Sequence, residues 1–586
     1  MWRRILRNST TYEQPNASSK KLILSVLNTT ATRREVANYL EKYADDSNKP
    51  CYGLLFIRHL DQIGPKTFGR LSKTLGRLRM LGLRLICVVP PSSNVRDYAE
   101  RLDDLLTQGS LKPLHVDFGL TKLRQGGYCS VLSSATGLFN AITADTVPVI
   151  KPYVYDEEKA TIHPSKDTPL YMDRLCTNVE PYIDKFFILN KIGGTPCGER
   201  NLNAHIFIQL SLEFNDIQEK ILQQLCSTHE RRPMSGDLIE RMSIHIHEDD
   251  INNLKQELEE HLEDIRIMNT VLSKFSRKST GLITTMKSAS LSADSKNPLL
   301  YNLLTDRSLI SSSLHRFKGP PLGEQIMDPQ NFDADPHVYH SGEVEAIFET
   351  TVYKKGVDIK IFEYRTLTAE NSVGLPQDIP SKKLGEKLND SPGGRKKGEN
   401  IEKVNLAKLK EVLDRGFNKS LNLSHYLNRI NGRIAAIIVI GDYEGIAILT
   451  FEGSAEETFV YLDKFTVLPE LKGYLGISDI IFNLMFKKFP KRVVWRSRVG
   501  NVINKWYFQR SITVIDLSVN LGGGDQKSSI FKLFCYDNSS DLDGNGDPKV
   551  LYENLNKLAR HVRDIQPSWN DEEAGISDTI NLSPPS

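Results

Sequence analysis

An α/β protein of two domains is what this chain predicts, on three observations. Short apolar runs alternate with helical patterns from about residue 50 to 370, a different rhythm fills 401–565, and the stretch between them, 371–400, concentrates Pro, Gly and charge. At 586 residues the chain is several ordinary domains long.

The run Gly53 to Ile57 reads as a strand, followed by a basic helical stretch through Leu71, Leu75 and Leu78 and a second strand from Leu85 to Val89. A polar segment through Tyr98, Leu102 and Leu105 precedes runs at Thr146 to Ile150 and Phe186 to Leu189, a repetition that favours a mainly parallel sheet. Apolar positions 254, 258, 262, 265, 268 and 272 mark one amphipathic helix, and residues 274–296, dominated by Ser, Thr and Lys, read as flexible. Beyond the gap, a helix through Leu409, Val412 and Leu413 leads to strands at Ile434 to Ile440, Gly445 to Phe451 and Phe459 to Val467. Ile477, Ile480, Ile481, Leu484 and Met485 follow helical spacing, and a strand at Arg492 to Ser497, a short helix near Asn504 to Phe508 and further strands to Tyr536 complete a mixed α/β domain. The expected boundaries are a leader at 1–34, a first domain at 35–370, a linker at 371–400, a second domain at 401–565 and a polar tail at 566–586.

With 39% apolar, 8% aromatic and 25% charged residues the composition is that of a globular protein, and no apolar run approaches the roughly 18 residues of a membrane span. The formal charge of +2 is uneven: residues 1–34 carry seven bases against Glu13 alone, so the body is mildly acidic and nucleic acid is an unsuitable partner. That Arg-rich, Ser-rich, acid-poor leader reads as an organellar transit peptide, with a basic tail as the other reading. Seven scattered cysteines without a CxxC pair suit reduced thiols rather than disulfides or zinc. No metal is expected, since His245, His247, Glu248 and Asp249 read as a solvated loop. Gly522 to Gly524 reads as a hairpin loop.

The unit from 459 to 486 is strand, Gly-containing turn and helix, and Gly473 and Gly476 let a phosphate approach the free N–H groups of the helix that follows. Such units are usually mere connections. On the next strand Arg496 and Arg498 stand two residues apart and share a face, and Lys464 lies on the strand before. Three converging cations suit a small dicarboxylate, because guanidinium grips carboxylate through a two-pronged fork. Cations paired with surface acids are the commoner arrangement.

The string from Trp495-Arg496-Ser497-Arg498 through Asn501 to Trp506-Tyr507-Phe508, with Leu462-Asp463-Lys464-Phe465 before it, resembles the acetyltransferase domain of N-acetylglutamate synthases. The whole chain is similar to the fungal mitochondrial form of that family, in which an amino-acid-kinase-like domain precedes a GCN5-related N-acetyltransferase domain. Phe187 to Gly194 and Leu299 to Asp306 resemble segments of the kinase-like part. The resemblance implies transfer of acetyl from acetyl-CoA to L-glutamate, the first step of arginine biosynthesis, in the mitochondrial matrix. It implies Arg496, Arg498, Lys464 and Lys419 as substrate-binding cations, Asn501 at the thioester end of CoA, and Tyr507 as general acid.

Backbone N–H groups from Thr466 to Leu468 are the expected oxyanion donors, and Lys472, Gly473 and Gly476 the expected phosphate contacts, although the turn Leu471 to Gly476 departs from the superfamily's usual Gln/Arg-x-x-Gly-x-Gly/Ala. Acetyl-CoA is a co-substrate and no cofactor is expected to be permanently bound. Arginine as feedback inhibitor, a complex with acetylglutamate kinase and a homo-oligomer are implied partners. Arg58 and His59 follow the first strand where amino-acid kinases carry Lys-x-Gly-Gly, which makes phosphoryl transfer an unpromising reading, and Lys191 to Gly194 reads as a turn. The rival is a catalytically silent arginine-sensing subunit of acetylglutamate kinase.

Overall fold

The computed structural model describes residues 51–230, 248–310, 346–363, 404–537 and 548–570 with short internal breaks, together with 22–23, 381–383 and 579–581. Its contacts divide the chain between Gly356 and Val357 into two units.

In the first, β1 (Cys51–Ile57), β2 (Leu83–Val88), β3 (Lys112–Val116), β4 (Thr146–Ile150), β5 (Ile183–Asn190), β6 (Phe207–Gln209), β7 (Thr280–Thr285) and β8 (Thr351–Lys354) form one sheet in the order β6-β8-β7-β5-β1-β2-β4-β3. Every pairing from β7 through to β3 is parallel. Alternate residues feed two cores: Leu55 and Ile57 join one face with α1 (Pro65–Met80) and α2 (Val95–Gln108), while Leu54 and Phe56 join the other with α3 (Glu248–Lys274). Both faces are therefore covered, which is why these strands read as continuous apolar runs.

The segment 274–296 departs from its expected flexibility. It contains β7, a fully buried strand whose polar side chains are satisfied inside the unit: Thr280 accepts from the buried Lys185 ammonium at 2.7 Å and donates to Asn302 at 3.1 Å, and Thr284 bonds Thr350 at 2.7 Å. Buried hydroxyls with partners cost little.

Strand order reverses between β5 and β1, the place where open α/β sheets usually bind ligands beyond the strand ends. Here Arg58 is taken by Asp264 at 2.7 Å and Glu263 at 2.8 Å, and His59 by Glu260 at 3.0 Å. Asn190 accepts from the Gly193 N–H at 2.6 Å and donates to the Gly193 carbonyl at 3.0 Å, closing the turn of Lys191 to Gly194.

The second unit holds β9 (Ile359–Glu363), β10 (Ser381–Lys383), β11 (Ile434–Ile440), β12 (Gly445–Gly453), β13 (Thr458–Val467), β14 (Arg492–Arg498), β15 (Thr513–Asp516) and β16 (Phe531–Asp537), in the order β10-β9-β11-β12-β13-β14-β16-β15. It begins before the linker expected at 371–400: β9 pairs antiparallel with β11, and β10, inside that stretch, pairs with β9. Ile359 to Glu363 lies within the first domain expected at 35–370, and nothing local in the sequence says which sheet takes it. Its helices are α4 (Leu406–Phe417), α5 (Leu423–Ile430), α6 (Ile477–Lys488), α7 (Asn504–Phe508) and α8 (Pro548–Arg563). The expected tail also begins too early, because Leu421 bridges Trp569 and the strand at Thr579–Asn581 pairs with Lys527–Ser529. Most of the leader, His245, His247 and Gly522 to Gly524 lie outside the described residues.

Candidate active site

A sheet that opens is the frame of the site. Strands β13 and β14 run parallel but pair only at Val460 with Val493 and Tyr461 with Val494; beyond these they part, although both continue. On its other edge β13 stays paired to β12 as far as Val467. The Leu468 N–H donates to the Glu444 carbonyl at 3.0 Å, which removes it from the expected oxyanion donors. Backbone alternation then turns the Val467 N–H to the opposite edge, toward the opening.

A bulge arms the opening with charge. Ile448 pairs with Lys464 and Leu449 with Leu462, so Asp463 is the additional residue. Consecutive residues of a regular strand face opposite ways, but across the bulge Asp463 and Lys464 meet at 3.0 Å. Asp463 also accepts from the Tyr426 hydroxyl at 2.8 Å and from Arg429, which reaches Glu452 at 3.2 Å. Burial would raise the Asp463 pKa, yet Lys464, Arg429 and the Tyr426 hydrogen bond hold it well below the usual carboxylate range. Burial pulls the Lys464 pKa down, aided by Arg429 and Arg496 and opposed by Asp463. The ammonium lies 4.8 Å from the Tyr426 ring centre and 5.6 Å from that of Trp569. Only one of its three donors has a partner among the described residues.

Arg496 and Arg498 share a face, as their spacing requires: their guanidinium carbons lie 4.6 and 5.9 Å from the Phe531 ring centre. Arg496 is not the free fork that the sequence suggests. Its Nη1 donates to the Val562 and Arg563 carbonyls at 2.7 and 3.2 Å and its Nη2 to Ile565 at 2.8 Å, at the C-terminal end of α8. Cations suit that end because the last helical carbonyls lack partners. Lys419 follows the left-handed Asn418, φ 53°, that ends α4, and its N–H donates to the Asp414 carbonyl at 3.2 Å. Gly416, one turn earlier, is where α4 meets β13: a Cβ there would overlap the Thr466 hydroxyl.

Tyr507 on α7 is wedged among rings, with centres 5.7 Å from Trp495, 5.4 Å from Phe534 and 6.0 Å from Phe482. Burial pushes its pKa up, so the hydroxyl keeps its proton at neutral pH. Asn501 spends its side chain on its own loop, donating to the Ser497 hydroxyl at 3.0 Å and accepting from the Ile503 N–H at 3.3 Å. Gly476 starts α6 in the left-handed region at φ 65°, with open space where a Cβ would stand. Lys472 and Gly473 lie outside the described residues. The structure thus brings Arg496 together with Arg498 at Phe531, and the Arg496 charge is felt by Lys464 as a lowering of its pKa.

Sequence reading missed Asp463, Tyr426, Arg429 and Trp569. Asp463 stood in the motif that was quoted, but a strand's alternation sends it away from Lys464; only the bulge reverses this.

A family model described as "NAT, N-acetyltransferase, of N-acetylglutamate synthase" matches residues 396–567. The chain is 50% identical to the mitochondrial amino-acid acetyltransferase of Saccharomyces cerevisiae strain S288c, covering 98% of this chain and 100% of that one. It is 47% identical to the protein of the same name from Vanderwaltozyma polyspora, covering 97% and 100%. Among solved structures, N-acetylglutamate synthase from Neisseria gonorrhoeae, complexed with coenzyme A and L-arginine, aligns over 83% of this chain and 94% of that one at 9% identity and a TM-score of 0.33.

Proposed function

This chain belongs to the mitochondrial amino-acid acetyltransferases, and from that premise we propose how its second unit works and which residues do the work. The enzyme is mitochondrial and moves the acetyl group of acetyl-CoA to the amine of L-glutamate, giving N-acetyl-L-glutamate and CoA in arginine synthesis. The observation that carries the placement is the parting of β13 and β14 beside a buried ammonium with two donors unmatched among the described residues.

Acetyl-CoA lies in the opening with its phosphates toward Gly476 at the start of α6, and Lys472 and Gly473 are the further contacts that the resemblance implies. Glutamate carboxylates are bound by Lys464, Arg498 and Lys419, with Arg496 behind them; two of its five N–H donors are unused among the described residues. The neutral amine attacks the thioester carbonyl, whose developing charge faces the Val467 N–H. Collapse of the adduct breaks the carbon–sulfur bond, the thiolate takes the Tyr507 proton, and the proton shed by nitrogen restores Tyr507 through solvent. Asn501 shapes the loop at the thioester end. No covalent enzyme intermediate forms. The leader directs import to the matrix, and the first unit is a degenerate kinase-like module that senses arginine and joins acetylglutamate kinase within a homo-oligomer.

A thiol-release assay with acetyl-CoA and glutamate, with and without arginine, tests the reading. Release that depends on glutamate and falls with arginine is expected. Silence with glutamate, while ATP is consumed with N-acetylglutamate, would replace it with a kinase; silence in both would favour the arginine-sensing subunit.

A further inference from the structure

Helix α8 ends at Arg563, and the chain then crosses back over the basic pocket. Three hydrogen bonds from Arg496 hold its departure, at the carbonyls of Val562, Arg563 and Ile565. Further along, the Asn422 N–H donates to the Ser568 carbonyl at 3.0 Å and the Asn570 N–H to the Ser420 carbonyl at 2.7 Å, so the segment is zipped to the loop that carries Lys419. The Asn570 amide adds a bond to the Ser420 hydroxyl at 3.1 Å. Between these bonds Trp569 packs on Phe417 with ring centres 4.9 Å apart and covers the Lys464 ammonium.

We propose that Ile565 and Gln566, with Ser568 to Asn570, form a strap along one side of the glutamate pocket, with Trp569 as a binding residue for the acidic substrate and Arg496 as the residue that positions the strap. The inference deepens the acetyltransferase reading and rests on it. Its physical content is desolvation. Aromatic faces attract an ammonium but offer no strong hydrogen-bond acceptor, so Lys464, boxed by Tyr426 and Trp569, keeps donors directed at a carboxylate while water is held off. Charge pairing is far stronger in such surroundings than in bulk water.

Kinetics of the full chain test this, using Trp569→Ala, Trp569→Phe, Arg496→Ala and the double alanine variant. Trp569→Ala is expected to raise the glutamate KM about tenfold while leaving the acetyl-CoA KM and the thermal midpoint close to the parent's, with Trp569→Phe restoring most of the loss. Glutamate alone is expected to change the parent's tryptophan fluorescence, and Trp569→Phe to lose that change while still turning over. If Arg496 acts through the strap, the double variant's KM falls short of the product of the two single effects; a full product returns Arg496 to direct carboxylate binding and ends its positioning role. An unchanged glutamate KM in Trp569→Ala, with an active parent, overturns the proposal. An inactive parent instead overturns the glutamate reading beneath it.

Discussion

Asp463→Asn removes one negative charge from the middle of a buried network and changes almost nothing in shape. The carboxylate side chain is 2% exposed and receives bonds from Tyr426 at 2.8 Å, Lys464 at 3.0 Å and Arg429. Breaking a buried ion pair by neutralising one partner costs about 3–5 kcal/mol, since the other charge stays buried without compensation. Two cations are stranded here, but Arg429 keeps Glu452 at 3.2 Å, which places the expectation near the lower end, about 3 kcal/mol. For a unit of this size that lowers the melting midpoint by roughly 6–12 °C. Near-UV circular dichroism reads it, because Trp495 and Trp506 belong to the second unit's ring cluster. The pH dependence has a definite sign. A carboxylate whose folded pKa is depressed contributes stability in full above its unfolded pKa of about 3.9 and loses it as pH falls through the folded value. Parent and variant should therefore differ most at neutral pH and converge in acid below about pH 4. A neutral-pH midpoint within about 2 °C of the parent's would refute the reasoning, since it would mean that Asp463 balances no buried charge.

Other consequences are as direct. Gly416→Ala puts a Cβ against the Thr466 hydroxyl and 2.8 Å from the Thr466 Cβ, so overpacking of α4 on β13 should lower stability in a denaturant titration by about 1–3 kcal/mol, with Thr466→Ala recovering part of it. Tyr507→Phe keeps the ring packing and removes only the proton donor, so turnover should fall on the order of a hundredfold with both KM values nearly unchanged; equal turnover would dismiss Tyr507 as the acid. The hydrogen bond to Glu260 raises the His59 pKa. The stability that this pair contributes is complete below the unfolded value of about 6.5 and disappears as pH rises through the folded one. The first unit's midpoint should accordingly fall above pH 6.5 in the parent and lose that slope in His59→Gln; an identical slope in the variant would rule the pair out.

What was legible in the sequence was whatever periodicity and residue type decide locally. Apolar runs at Gly53 to Ile57 and Phe186 to Leu189 announced strands of a mainly parallel sheet, which extend to Cys51–Ile57 and Ile183–Asn190, and the two-residue spacing of Arg496 and Arg498 announced a shared face. The failures have one cause. Thr280, Thr284 and Ser279 look like surface residues until their partners, Lys185, Thr350 and the Ile183 carbonyl, arrive from about 66 to 96 positions away. A run of polar residues has no periodic signature that separates a satisfied interior strand from a loop.

Arg496 shows where the same limit falls on function. Its type and spacing predict a cation on the face it shares with Arg498, and both guanidinium groups do lie over Phe531. Which acceptor it takes depends on where α8 ends, at Arg563, 67 residues later in the chain, and no local pattern around either residue specifies the other. An arginine near a site can therefore bind substrate or fasten the wall that does, and the two roles make different demands on its donors. With three donors committed to carbonyls, Arg496 is held by its geometry at the end of α8, while its charge helps to lower the Lys464 pKa. Arg496→Lys keeps the charge but not the three-pronged grip, so it should behave like the loss of Trp569: a higher glutamate KM with kcat largely kept. A collapse of kcat in Arg496→Lys with an unchanged glutamate KM would instead tie the guanidinium to the reacting atoms.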